Sequence, residues 1–299
     1  MKLFAPEYYK DFVCIADKCK HSCCIGWEID IDSDTMEKYE EYKGSYAKEL
    51  KESIDKSAEP QFKLDENERC PHLNERGLCN LILNVGEDFL CHICREHPRF
   101  YNDTPHGREV GLGMACEEAC RIILGSDKYM NILSVGECDG IIDDQLLDTP
   151  GYRKEIYAIL SDRTIAYSKR LDLIAEKYGL GNMPDIKICL DLVNEFEYLD
   201  QEHKKLFESF SWNAQISPEA ELCLERALAY YIYRHLAECY YKEEICQAVG
   251  LCLFWERLLA SLISVGIEPQ LAARIVSEEV EYSEDNTEAV KGIFGAERA

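Results

Sequence analysis

At 299 residues and 46% hydrophobic content, the chain has ample material for one large domain or two ordinary ones. Its formal charge of -24 and pI near 4.7 exclude a general phosphate-backbone binder, which needs clustered Lys and Arg, and suit basic protein partners instead. The opening MKLFAPEYYKDF lacks the apolar core and cleavage site of a secretory signal, and no uninterrupted apolar run reaches membrane-spanning length. A cytoplasmic protein with neither membrane nor nucleic-acid partners is therefore expected.

The first chemistry-bearing stretch is CKHSCCIGWEIDIDSDTMEKYEEY, Cys19 to Tyr42. Asp30, Asp32, Asp34 and Glu41 fall at positions 1, 3, 5 and 12 of an EF-hand loop, but position 6 is Thr35, where the sharp turn demands glycine. The local chemistry offers a simpler account: EIDID alternates like a short strand, and Asp34 with Glu37 reads as a helix N-cap. Further on, CPHLNERGLC and HPRFYNDTPHGRE are rich in loop-forming residues. Cys91-His-Ile-Cys94 is a CxxC without a clear strand–helix setting, so a redox meaning is weak.

Eleven of the sixteen cysteines lie between Cys14 and Cys138. In a reducing compartment they remain thiols or bind metal. Cys14, Cys19, Cys23, Cys24, Cys70, Cys79, Cys94 and Cys116 suffice for one or two four-thiolate sites. Soft sulfur donors suit zinc or an iron–sulfur cluster. A zinc finger normally shows two compact CxxC-like pairs; a single clear CxxC beside irregular spacings favours iron–sulfur, with zinc as the alternative.

A boundary is predicted at DDQLLDTPG, where Thr149, Pro150 and Gly151 punctuate the chain. Beyond it, Ile156, Ile159, Leu160, Tyr167, Leu171, Ile174 and Tyr178 approximate one helix face ending at GLGN, Gly179 to Asn182. Ser217 is placed to cap a helix that begins at Pro218, and another helix, through Ile245 and Leu259, stops at Gly266 with Pro269 beyond. LCLFWERLLASLISVGI, interrupted by Glu256 and Arg257, reads as a buried helix. Cys223, Cys239, Cys246 and Cys252 read as apolar thiols in a helical core. The acidic SEEVEYSEDNTEAVKGIFGAERA reads as a peripheral helix or frayed tail. The expectation is a mainly α chain: an irregular cysteine-rich metal-binding domain over residues 1–148, then a helical domain over 149–299.

The run FVCIADKCKHSCCIGWEIDID, followed by CPHLNERGLCNL, CREHPRFYN and GLGMACEEACRIIL, resembles the flagellin lysine-N-methylase (FliB-type) family over about residues 6 to 125. A similar cysteine arrangement occurs in a broader class of small zinc- or iron-chelating proteins. Carried over by position, the resemblance implies a metal-site pool of Cys14, Cys19, Cys23, Cys24, Cys70, Cys79, Cys94 and Cys116, with Cys91, Cys120 and Cys138 outside it as free thiols. Gly26 and Trp27 turn and anchor the cysteine loop. Arg99 is a candidate for hydrogen bonding to cluster sulfur, to a cofactor carboxylate or to a nearby acid, and equally for a plain ion pair.

The resemblance further implies methyl transfer from S-adenosylmethionine to flagellin lysines, with an iron–sulfur cluster of the 4Fe-4S type as cofactor. The alternative is a non-enzymatic zinc- or iron-binding or redox-sensing module. Neither standard cofactor signature is present: GLGMAC and GLGN lack the strand and acidic partner of a Rossmann cradle, and a Cys-x3-Cys-x2-Cys radical motif from Cys19 and Cys23 fails at Gly26. No residue stands out as the catalytic base, and the oligomeric state is open.

Overall fold

The computed structural model describes residues 1–181, 184–208, 210–211 and 213–295. Asn182, where the predicted GLGN stop ends, and the last four residues of the acidic segment lie outside them. The chain is mainly α, with a sheet that local periodicity did not predict. It divides into two compact units, Val13–Arg99, and Met1–Phe12 together with Phe100–Ala299. The division thus falls at 12/13 and 99/100 rather than at 148/149, and in chain order the cysteine-rich unit is an insertion within the larger one.

The reason for that division is a four-stranded sheet in which Lys2–Pro6 occupies an inner position. It runs parallel to Gly107–Leu112, with Leu3 opposite Arg108, and antiparallel to Ile132–Glu137, while Arg99–Thr104 forms the edge beside Gly107–Leu112. Gly107 makes the close approach possible: at φ +142°, a Cβ there would stand 2.5 Å from the Lys2 carbonyl oxygen.

The rest of the larger unit is helical. The predicted continuous face from Ile156 to Tyr178 is two helices, Thr149–Leu160 and Tyr167–Lys177. Asp162 separates them by accepting from the Thr164 N–H at 3.1 Å, a turn that competes with helix continuation. Ser217 caps Pro218–His235 as expected, accepting from the Ala220 N–H at 3.3 Å. Glu244–Ser264 is, among the described residues, the one helix long and apolar enough to cross a membrane, and most of it is buried within the protein. Its charge is neutralised in place: fully buried Glu256 accepts from the Tyr167 hydroxyl at 2.9 Å and pairs with Arg257.

The acidic C-terminal segment is part of the core rather than peripheral. The π-helical Ser277–Glu281 and the helix Glu284–Ile293 bury Val280, Val290 and Phe294. Glu281 points inward because the Tyr230 hydroxyl and His235 Nε2 meet it at 2.7 and 2.8 Å. Elsewhere, Arg153 forks onto Glu109 through two bonds of 2.6 Å, both side chains nearly dry. Cys189, Cys223, Cys239, Cys246 and Cys252 all lie in or against this helical core, as does Cys120.

Candidate metal centre

The Val13–Arg99 unit has its own small core, built on Ile29, Ile31, Tyr39, Leu50, Ile54, Phe62 and Leu81. EIDID is extended, with Ile29 and Ile31 buried and Glu28 and Asp30 exposed, but it forms only a bridge at Asp30–Gln61 rather than a strand. The following helix, Ser33–Glu41, starts earlier than expected. Its cap is Asp32, not Asp34, with Oδ1 accepting from the Thr35 N–H at 3.0 Å.

Backbone pairing brings distant cysteines together. Gly26, at φ +90°, donates its N–H to the Glu68 carbonyl at 3.0 Å, Ile25 bridges Arg69, and the Cys70 N–H reaches the Cys24 carbonyl at 2.9 Å. Cys24 and Cys70 are therefore neighbours across an antiparallel contact, with Trp27 anchoring the loop by donating from Nε1 to the Cys23 carbonyl at 2.7 Å. Asn74 closes the CPHLNERGLC loop by accepting from the Arg76 and Leu78 N–H groups at 2.9 and 3.1 Å, and Leu73 bridges Cys79. Cys79 precedes the short helix Asn80–Asn84, and Cys91 precedes His92–Glu96, which carries Cys94. The second carboxylate oxygen of Asp32 accepts from the His92 N–H at 2.7 Å, so one side chain ties the CxxC turn to the preceding helix.

The result is a group of five sulfurs around one core: Cys70 and Cys91 within it, and Cys24, Cys79 and Cys94 packed against it. Their electrostatics are mutual. Burial pushes the Cys70 thiol up to about 12, with the charges of Cys24, Cys79 and Cys91 adding to it. Burial also raises Cys79. The thiols of Cys91 and Cys94 hydrogen-bond to each other; this lowers Cys91 and, together with burial and the nearby thiolates, raises Cys94 steeply. A bond from Cys23 holds Cys24 down to about 7, against the opposing effect of burial. Several thiolates cannot ionise side by side without a cation, so the donor set fits a thiophilic metal. Among the described residues, no three of these sulfurs lie within 4.8 Å of one another, wider than the roughly 3.8 Å sulfur spacing of a tetrahedral zinc site.

The structure redistributes the predicted pool. Cys24, Cys70, Cys79 and Cys94 converge, and Cys23 touches them through Cys24. Cys14 is exposed, and Cys19 donates to the His21 carbonyl at 3.2 Å. Cys116 belongs to the other unit, at the start of helix Glu117–Gly125. Cys91, expected to be a free thiol outside the pool, is fully buried within the group; its signal was the CxxC spacing itself. Cys120 lies in the other unit's core and Cys138 pairs its backbone with Met1. Arg99 Nη1 donates to the Arg95 carbonyl at 3.4 Å. All sixteen cysteines are free of disulfides.

The histidines of this unit differ. His72 is buried with both ring nitrogens bound: Ser53 Oγ, which donates to the Leu50 carbonyl, must accept from Nε2–H, and Nδ1 accepts from the Tyr46 hydroxyl, each at 3.0 Å. With both nitrogens engaged, it has no atom left to ligate a metal. His97 lies against Trp27, ring centroids 6.3 Å apart, and burial, aided by Arg99, pulls its pKa to about 4. A cavity of about 480 Å³ beside the CxxC turn is lined by Asp30, Asp32, Glu59 and His92. Its carboxylates favour an ammonium over the neutral amine, so it is not a place to activate lysine. In the larger unit, His203, Glu278 and Glu279 cluster at metal-binding distances. There, however, Glu279 already accepts from His203 at 2.6 Å and from the Leu199 and Asp200 N–H groups.

The chain is 26% identical over 161 residues to the flagellar biosynthetic protein FliU of Salmonella muenchen, covering 52% of this chain and 94% of that protein. It is 27% identical over 132 residues to the lysine-N-methylases of Salmonella choleraesuis and Salmonella typhimurium. The similarity is distant. It covers 42% of this chain and only 33% of each methylase, so the match spans about a third of those enzymes. No family model matches the chain, and no solved structure is significantly similar to it.

Proposed function

We propose that the protein transfers methyl groups from S-adenosylmethionine to lysine side chains of flagellin, using a metal centre held by the Val13–Arg99 unit. The observation that carries this reading is the convergence of five sulfurs, from positions 24 to 94, in a chain distantly similar to lysine-N-methylases. Cys24, Cys70, Cys79, Cys91 and Cys94 form the pool from which the centre would draw its ligands. Their soft donors and wide spacing support an iron–sulfur cluster of the 4Fe-4S type over mononuclear zinc. A 4Fe-4S cluster has four terminal positions, so three protein ligands would leave one iron open to the amino and carboxylate groups of the cofactor.

The transfer itself is a displacement. The neutral lysine amine forms a bond to the sulfonium methyl, the sulfur–carbon bond breaks, S-adenosylhomocysteine leaves, and the ammonium gives up its proton to a base. Because lysine's ordinary pKa is about 10.4, the site must desolvate it or supply that base. The chain's own contribution at the cysteine turn is positional. Asp32 holds the Cys91–Cys94 turn by its His92 N–H, and neutral His72 props the Cys70 loop through two hydroxyls. The same reading places the protein in the cytoplasm, where its thiols stay reduced.

The test is anaerobic purification with iron and sulfide analysis, followed by methyl incorporation into flagellin. Transfer that is lost in Cys70→Ser and Cys94→Ser with helicity retained supports the reading. A folded protein that binds metal tightly but neither binds the cofactor nor methylates flagellin refutes it.

A further inference from the structure

Among the described residues of the Val13–Arg99 unit, one buried side-chain polar atom lacks a hydrogen-bond partner: Nε2 of His97. A buried imidazole nitrogen without a partner costs on the order of 1–3 kcal/mol, and its persistence calls for an ion, a water or a ligand at that atom. The contrast with His72, whose two nitrogens are both satisfied in the same small core, shows that the unit can pair an imidazole fully when its role is structural.

The surroundings of His97 tie it to the cysteine-bearing segments. Its N–H bonds the Ile93 carbonyl at 3.0 Å where the turn His92–Glu96 ends, three residues after Cys94. Its ring lies against Trp27. Trp27 is anchored to the Cys23 carbonyl and packs against the same core as Cys24, Cys70, Cys91 and Cys94. His97 is thus fastened on both sides to segments that carry the sulfurs.

We infer that His97 is a ligand of the metal centre, binding through Nε2 beside the cysteine thiolates, so that the donor set is mixed nitrogen and sulfur. This rests on the reading that these cysteines hold a metal. It does not rest on methyl transfer, and is tested without it. A neutral imidazole in place of one thiolate leaves the centre with one negative charge fewer, which favours a less negative cluster.

The experiment uses the full chain reconstituted anaerobically with ferrous iron and sulfide, with its histidines labelled with ¹⁵N. Pulsed electron paramagnetic resonance of the reduced protein is expected to show a strongly coupled ¹⁵N nucleus, and iron-edge X-ray absorption to show imidazole scattering. Both signals disappear in His97→Gln, with at least a tenfold fall in metal affinity. In His97→Gly, added ¹⁵N-imidazole restores the coupling, which a merely structural histidine would not allow. An all-sulfur shell in the wild type, or a coupling that persists in His97→Gln, overturns the ligand assignment while leaving the metal centre standing. A folded wild-type chain that takes up no iron overturns both.

Discussion

Asp32 is half-buried, and its two oxygens serve two helix starts, accepting from Thr35 at 3.0 Å and from His92 at 2.7 Å. Replacing it with alanine removes an N-cap worth about 1 kcal/mol and a charge-assisted bond that solvent screening reduces to about 1 kcal/mol more. A loss of about 1 kcal/mol at each helix start corresponds to a roughly fivefold rise in local opening there. Hydrogen exchange resolved at single amides reads this directly: in Asp32→Ala the Thr35 and His92 N–H groups should each exchange about fivefold faster. Asp32→Asn separates the two bonds, because the amide oxygen still caps Thr35 while the NH2 group meets the His92 N–H donor to donor. Thr35 then keeps its protection and His92 loses it. Burial raises the Asp32 carboxyl, but the N–H groups of His92 and Thr35 more than offset that, leaving it below the ordinary carboxylate range. The stabilisation is therefore complete at neutral pH and is withdrawn as pH falls through the lowered value. Unchanged protection of both amides in Asp32→Ala would refute the idea that this carboxylate holds the CxxC turn.

Metal analysis should separate the cysteines: Cys70→Ser or Cys91→Ser lowers bound metal per chain at least severalfold, whereas exposed Cys14→Ser leaves it unchanged. Equal loss at all three would dissolve the grouping. In the larger unit, Glu225 is 1% exposed and accepts from Arg163 and Arg170 at 3.0 and 2.6 Å. Glu225→Ala strands Arg170 in the core and should cost about 3–5 kcal/mol in urea unfolding. Burial raises the Glu225 carboxyl, yet its bonds from Arg163, Tyr129 and Arg170 leave it lowered overall. Its contribution is present above the ordinary carboxylate range and lost on acidification, so Glu225→Gln should flatten the acid limb of the stability curve. Gly107→Ala drives a Cβ to 2.5 Å from the Lys2 carbonyl oxygen. More than about 2 kcal/mol of destabilisation is expected in thermal unfolding, and a neutral result would mean the strand pairing is looser than it looks.

The helices were legible where a cap and a stop are local chemistry. Ser217 with Pro218, and the Gly266–Pro269 exit, work through atoms within a few residues of one another. The sheet was not legible because Lys2–Pro6 finds its partners more than a hundred residues away, and its short run has no period to betray it. The acidic terminal segment misled for a related reason: Glu279 and Glu281 look solvent-facing until Leu199, His203, Tyr230 and His235 arrive from elsewhere to meet them. At the candidate centre, four of the eight pooled cysteines converge. Cys91 was set aside because it lies outside the cysteine pattern that the resemblance supplied, although its CxxC partner Cys94 was in the pool. Asp32 and His97 were invisible to spacing arguments, since the bond from the His92 N–H and the unpaired Nε2 exist only in the folded loop.

Leu3 meets Arg108 and Pro6 meets Ile132 across more than a hundred residues of chain. Closing so long a loop from a disordered chain costs conformational entropy that grows with the logarithm of its length. A Val13–Arg99 unit that collapses first on its own core leaves far less disordered chain between the two strands. Variants that unfold the smaller unit should therefore slow strand pairing in the larger one.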